Sequence, residues 1–133
     1  MASKVFINLP VKDLERSKAF FAKLGYTFNE KFTDSSAACM VISEHIYSML
    51  LSEARFKDFT PKTIVDATKS TEVLVALAVE SKAKVDELAD TALKAGATKT
   101  REPQDHGFMY ERSFNDLDGH IWEIFWMDPA AVQ

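Results

Sequence analysis

A chain of 133 residues is long enough for one domain, or for two small modules that share a core. Hydrophobic residues make up 47% and charged residues 27%, which is typical of globular proteins and too apolar for intrinsic disorder. The net charge is −4 and the basic residues are scattered among acids, so nothing favours binding to nucleic acid or to a membrane surface. The single cysteine, Cys39, excludes an internal disulfide. We recognise no signal peptide and no apolar run of membrane length, so we expect a cytoplasmic protein.

The first part of the chain predicts a strand, a helix and three further strands. Alternating apolar residues predict a strand over residues 5–9. Asp13 is placed to cap a helix that has one apolar face and ends at Gly25. Short strands are predicted over residues 27–32, 37–43 and 45–52. A long connection follows, and the pair Thr60-Pro61 predicts a brief helix within it.

The same order of elements is then repeated. A strand is predicted over residues 73–79, and a helix capped by Ser81 ends at Ala95-Gly96. Strands over residues 98–101, 108–115 and 120–127 follow, the last two joined by a turn at residues 116–119. The repeat predicts an α+β fold of two βαβββ modules, residues 1–53 and 71–133, joined by the loop 54–70.

Strand parity indicates where a ligand could bind. Each helix should cover the face with the larger side chains, which leaves Phe6, Asn8 and Leu74 to line a shared cavity within a curved mixed sheet. On the strand over residues 108–115, Tyr110 and Arg112 share a face that suits recognition of an anionic substrate. The alternative is that Arg112 pairs with an acid on a neighbouring strand.

Two motifs resemble the glyoxalase, bleomycin-resistance and dioxygenase proteins of the vicinal oxygen chelate superfamily. Residues 8–17 read Asn-Leu-Pro-Val-Lys-Asp-Leu-Glu-Arg-Ser and resemble the opening of these proteins. Residues 116–124 read Asp-Leu-Asp-Gly-His-Ile-Trp-Glu-Ile and resemble their closing turn and ligand strand. The resemblance implies the two-module fold, a small-molecule ligand and the possibility of a homodimer. It leaves the chemistry open, because one fold hosts many functions.

Metal-dependent members of this superfamily use one side chain from each of four strands. By resemblance, these positions fall on Phe6, Met49, Leu74 and Glu123, and only Glu123 can bind a metal. A divalent ion needs about three protein donors, so we expect no metal cofactor. An alignment shifted by two residues would instead bring Asn8 and Glu72 beside Glu123, and such a set suits a hard divalent ion.

Glu123 lies in an apolar strand, where a carboxylate must be paired, hydrogen-bonded or metal-bound. Burial would raise its pKa and suit it to act as a general acid or base, or it could simply bond a polar neighbour. Two functions follow. The first is a metal-free small-molecule binder that resembles bleomycin-resistance proteins, with ligand contacts from Phe6, Asn8, Met49, Glu72, Leu74, Tyr110 and Arg112. The second is a glyoxalase-like, metal-dependent lyase or isomerase that uses Glu123 with Asn8 or Glu72.

Overall fold

The computed structural model describes residues 3–132 and divides the chain into two compact units, Met1–Val65 and Asp66–Gln133. The boundary between the units falls inside the connection that the sequence predicted as a loop. Each unit contains one mixed sheet, which confirms the predicted α+β class. No helix within the described residues has the length and apolar character of a membrane span.

The first unit follows the predicted order of strand, helix and strands. Its elements are β1 (Val5–Val11), α1 (Leu14–Lys23), β2 (Thr27–Phe28), a 3₁₀ turn (Glu30–Phe32), β3 (Ala37–Val41), β4 (Ile46–Ser52), α2 (Glu53–Phe56) and a second 3₁₀ turn (Lys57–Phe59). Its sheet, sheet 1, has the order β1-β4-β3-β2, with β1 parallel to β4 and the other pairs antiparallel.

Two local predictions in the first unit need correction. The strand predicted over residues 27–32 ends at Phe28, because the Asn29 side chain accepts a hydrogen bond from the Lys31 N–H and starts a 3₁₀ turn. No helix begins at Thr60-Pro61, because the Thr60 hydroxyl accepts from the Lys62 N–H in a local turn. The helical residues precede that point, and Ser52 caps them.

The second unit repeats the order with one additional strand. The elements are β5 (Leu74–Ala78), α3 (Lys82–Lys94), β6 (Thr98–Lys99), β7 (Gln104–Asp105), β8 (Met109–Asn115), β9 (Ile121–Met127) and a terminal 3₁₀ turn (Pro129–Val132). Its sheet, sheet 2, has the order β5-β9-β8-β6, and β7 pairs with β8 beyond the end of β6. Helix α3 packs against β8 and β9.

Apolar periodicity explains which helix faces are buried. In α1, Phe20 and Phe21 are at most 2% exposed, and in α3, Val85, Leu88 and Ala92 form the buried stripe. Side chains at these three- and four-residue steps lie on one face of a helix and so can be buried together. The predicted caps Asp13 and Ser81 both accept a backbone N–H of the first turn, from Arg16 and Lys84 respectively.

The turn between β8 and β9 is organised by one buried carboxylate. The Asp116 Oδ1 atom accepts from the N–H groups of Asp118, at 2.9 Å, and His120, at 3.0 Å. Its Oδ2 atom accepts from the indole Nε1 of Trp122 at 2.9 Å, and Trp122 is 1% exposed. The predicted turn is therefore tied directly to the core beside β9, and this holds β9 in register with β8.

Candidate functional site

The register of sheet 2 places Glu123 on the face opposite the buried Trp122 and Ile124. The cross-strand partners of Glu123 are Ala76 of β5 and Ser113 of β8. Those of Phe125 are Ala78 of β5 and Glu111 of β8. Cross-strand partners point to the same side of a sheet. We call this side the open face of sheet 2, defined by Leu74, Ala76, Ala78, Glu111, Ser113, Glu123 and Phe125.

A three-residue ionic cluster lies on the open face. The Nη2 atom of Arg101 donates to Oε1 of Glu111 and lies 3.5 Å from Oε2 of Glu123. The Glu111 and Glu123 side chains are only 11% and 18% exposed, whereas Arg101 is 49% exposed. The two acids are therefore largely buried, and the guanidinium that neutralises them is reached from solvent.

Burial raises the pKa of Glu123, and the nearby charge of Glu111 raises it further. The positive charge of Arg101 opposes both effects. A carboxyl group in this setting accepts a proton more readily than one in water, and it can hydrogen-bond as an acid or as a base. The arrangement can thus anchor a polar group of a ligand or transfer a proton to it.

Ser113 adds an unused hydrogen-bonding group to the open face. It is 8% exposed, and its Oγ atom is buried and has no hydrogen-bond partner among the described residues. A buried hydroxyl without a partner costs about 1–3 kcal/mol.

The predicted residues of the first unit also share one face of their sheet. Asn8 is the cross-strand partner of Met49, and Phe6 is the partner of Tyr47, on which it stacks at 4.8 Å. Phe6 is 49% exposed, and Asn8 is exposed as well. The Asn8 amide donates only a long bond of 3.4 Å to the carbonyl of Phe6, so its side chain is largely available. Their contact with a ligand stays a prediction.

Tyr110 and Arg112 do not lie on the open face. Their side of β8 is the one that α3 covers, and the buried Phe114 lies on it too. The Tyr110 hydroxyl donates to Asp86 at 2.6 Å, while Nη1 of Arg112 pairs with Asp86 at 3.1 Å and Asp90 at 2.8 Å. The alternative of an ion pair therefore describes Arg112 better than a recognition face, although the acids come from a helix and not from a neighbouring strand.

The residues at the four positions that the resemblance assigns to a metal do not fit one. Phe6 and Leu74 are hydrocarbon side chains, Met49 offers only a thioether, and Glu123 is already paired with Arg101. Glu72 is exposed in the segment before β5. Among residues 3–132, no group of three histidine, cysteine or acidic side chains is placed to hold an ion. We therefore derive no chemistry from a metal.

The sequence predicts Glu123 as a site residue but does not predict its partners. Glu111, Ser113 and Arg101 have no predicted role. Their signal was the parity of β8, since an acid in a half-buried strand needs a partner. Glu111 and Ser113 could be identified as neighbours of Glu123 only from the register between β8 and β9, which cannot be read from the amino-acid sequence.

Comparison with known proteins supports the same fold. Residues 4–43 match the model of the family described as bleomycin resistance protein-like N-terminal. A hypothetical protein from S. aureus is 27% identical, with 95% of each chain covered and a TM-score of 0.79. A glyoxalase-related enzyme from Fulvimarina pelagi is 20% identical, with a TM-score of 0.79 over 95% of this chain and 88% of that one.

A fosfomycin resistance protein from Mesorhizobium loti is 16% identical, with a TM-score of 0.72 over 99% of this chain and 98% of that one. The chain has the vicinal oxygen chelate fold. The fold that the resemblance implied is thereby confirmed, and the family match includes residues 8–17. No protein in the curated set matches the sequence.

Proposed function

We propose that this vicinal oxygen chelate protein binds a small organic molecule on the open face of sheet 2 and does so without a divalent metal. The observation that carries the proposal is the pair of largely buried carboxylates, Glu111 and Glu123, on a sheet face whose other residues are apolar except Ser113. Polar groups that are few and well placed in an apolar surface fix the orientation of small ligands.

Space on the open face supports the proposal. Ala76 and Ala78 are small and exposed, and Leu74 is 51% exposed. The surface of β5 next to Glu123 is therefore accessible to a ligand. The apolar Phe125 lies next to Glu123 on the same face. A ligand could cover Leu74 and Phe125 with its apolar part and direct a donor group, such as an amine or a hydroxyl, to Glu123.

The donor set supports binding without a metal. Three of the four positions used by metal-dependent relatives hold Phe6, Met49 and Leu74, and the fourth, Glu123, faces a guanidinium. A lyase that combined Glu123 with Asn8 or Glu72 would need these side chains as ligands of one ion. We favour the binder, because the Glu123 carboxylate is already paired with Arg101.

The test is a thermal-shift screen of amine-bearing and neutral small molecules, followed by titration of the hits against Glu123→Gln. A ligand that binds the folded state raises the melting temperature by mass action. We expect Glu123→Gln to fold and to bind the hits about tenfold or more weakly, because a hydrogen bond to a charged group contributes about 1.5–3 kcal/mol.

The matched control is Glu80→Gln, which makes the same change at an exposed acid outside the open face. It should bind the hits as the wild type does. If Glu123→Gln unfolds the protein, Glu123 is structural. If it folds and binds every hit with unchanged affinity, the ligand does not bind at Glu123.

A further inference from the structure

Arg101 reaches the open face from the edge of sheet 2. The paired residues of β6 end at Lys99, and those of β7 begin at Gln104. The four residues between them, 100–103, pass only two residues of β8, and extra residues of this kind can re-aim a side chain. The Arg101 guanidinium is thus carried by a segment that is not paired in register with β8.

The two contacts of the Arg101 guanidinium are unequal. Its Nη2 atom donates a hydrogen bond to Oε1 of Glu111, whereas Oε2 of Glu123 lies 3.5 Å away. A charge-assisted N–H···O bond spans about 2.7–2.9 Å, so the contact with Glu123 is a looser ion pair. The Arg101 side chain is also 49% exposed, and an ion pair with an exposed partner stabilises a protein little. The contact with Glu123 is therefore the one that a ligand can replace most easily.

The open face keeps an excess of negative charge. The residues that define it include the acids Glu111 and Glu123 but no base, and Arg101 supplies one positive charge to both acids. Burial and the charge of Glu111 raise the pKa of Glu123, although Arg101 opposes them. The Glu123 carboxylate is therefore less stable than it would be in water, and a second positive charge beside it would stabilise it.

We infer that the ligand of the open face is an organic cation, whose ammonium group replaces the Arg101 guanidinium at Glu123 while its apolar part covers Leu74 and Phe125. This inference rests on the proposed function and adds to it the class of ligand and the role of Arg101. In the free protein, Arg101 occupies the position of the ligand's cation. It is a specificity residue, because a neutral molecule that displaced it would leave the carboxylate without a positive charge.

The experiment is an NMR titration of the whole chain with benzylammonium chloride at neutral pH and constant ionic strength. Benzyl alcohol is the neutral probe of similar shape. We expect saturable binding of benzylammonium and weaker binding of benzyl alcohol. Arg101→Ala should bind benzylammonium about three- to tenfold more tightly, because it removes a half-exposed charge that competes with the probe. The affinity for benzyl alcohol should not rise in this variant.

Arg16→Ala is the matched control, since it removes the same charge from an exposed side chain on α1. It should leave the affinity for both probes unchanged. A measurement on the wild type tests the inference even if Arg101→Ala does not fold. The Nε–H resonance of Arg101 should shift over the same range of benzylammonium concentration as the backbone amides of β9, and it should not shift with benzyl alcohol.

Unchanged or weaker binding of benzylammonium in Arg101→Ala would overturn the inference, because Arg101 would then take no part in binding or would itself hold the ligand. Equal binding of the two probes by the wild type, or binding of neither, would overturn it as well. Glu123→Gln separates these failures from a failure of the proposed function. If it weakens the hits of the thermal-shift screen while Arg101→Ala does not tighten benzylammonium, the open face binds a ligand of another class. If it leaves the hits unchanged, the proposed function itself is wrong.

Discussion

Glu123 shows how a carboxylate is kept within an apolar strand. Its neighbours along β9 are Trp122 and Ile124, both buried on the opposite face, so its own side is set by strand parity. Arg101 and Glu111 then determine its charge. The guanidinium favours ionisation, while burial and the second carboxylate oppose it, and the balance of these effects raises the pKa of Glu123.

This balance predicts how stability depends on pH. A raised pKa means that the folded state binds the proton more tightly than the unfolded state, so protonation of Glu123 stabilises the fold. That contribution is present below the ordinary pKa of 4.5 and is lost as the pH rises through the raised value. The free energy of unfolding of the wild type, relative to Glu123→Gln, should therefore fall as the pH rises from 4.

Urea denaturation of both proteins at several pH values measures this difference. Subtracting the free energy of unfolding of the glutamine variant removes the contribution of every other titrating group whose pKa the substitution does not change. A difference that grows with pH would show that the ion pair with Arg101 outweighs burial, and that Glu123 is stabilised as the anion.

At the scale of elements, the β8–β9 hairpin depends on one glycine. Gly119 has φ +92°, and a Cβ atom there would lie 2.7 Å from the Thr68 backbone nitrogen and 2.8 Å from the Ala67 carbonyl. Both features require glycine, since a side chain at positive φ is strained and these neighbours are backbone atoms. The chain before β5 thus packs directly on the turn that precedes the Glu123 strand.

Gly119→Ala should destabilise the protein by more than the ~1–2 kcal/mol that positive φ costs an ordinary residue. Gly107→Ala is the matched control, because Gly107 has φ +80° but no atom within 4 Å of the added Cβ. Chemical denaturation of the two variants separates strain from close contact. Equal losses would mean that residues 67–68 move aside without cost.

At the scale of the whole molecule, the two units repeat one plan but differ in what their sheets carry. The face of sheet 1 with Phe6, Asn8 and Met49 has no acidic side chain among its described strand residues, and the Lys4 ammonium lies over the Tyr47 ring there, whereas the open face of sheet 2 holds Glu111 and Glu123. The acidic groups are therefore concentrated on the open face of the second unit, and the proposed ligand is placed there.

Metal content tests the metal-free proposal on the whole chain. We expect mass spectrometry of tag-free protein to find no stoichiometric ion, before or after incubation with manganese, nickel or zinc. The melting temperature should not rise on their addition, because a bound ion would stabilise the fold. One equivalent of bound metal, lost in Glu123→Gln, would instead make Glu123 a ligand and restore the lyase alternative.

Local chemistry explains which parts of the fold could be read from the sequence. Asp13 and Ser81 cap their helices, apolar spacing predicts the buried stripes, and residues 116–119 form the expected turn. These features depend on neighbours within a few residues. The prediction of a helix at Thr60-Pro61 was wrong, because the Thr60 hydroxyl accepts a hydrogen bond from the Lys62 N–H in a local turn.

The sequence alone determined the repeated α+β plan and the position of Glu123, because periodicity and strand parity are local properties of the chain. Only the tertiary structure decided what each polar side chain contacts. Arg112 is paired with Asp86 and Asp90 because α3 covers that face of β8, and Arg101 reaches Glu111 because the strand edge is interrupted at residues 100–103. Register and packing between segments that are distant in sequence determine these contacts. A buried charge is stable only when such packing places a partner next to it.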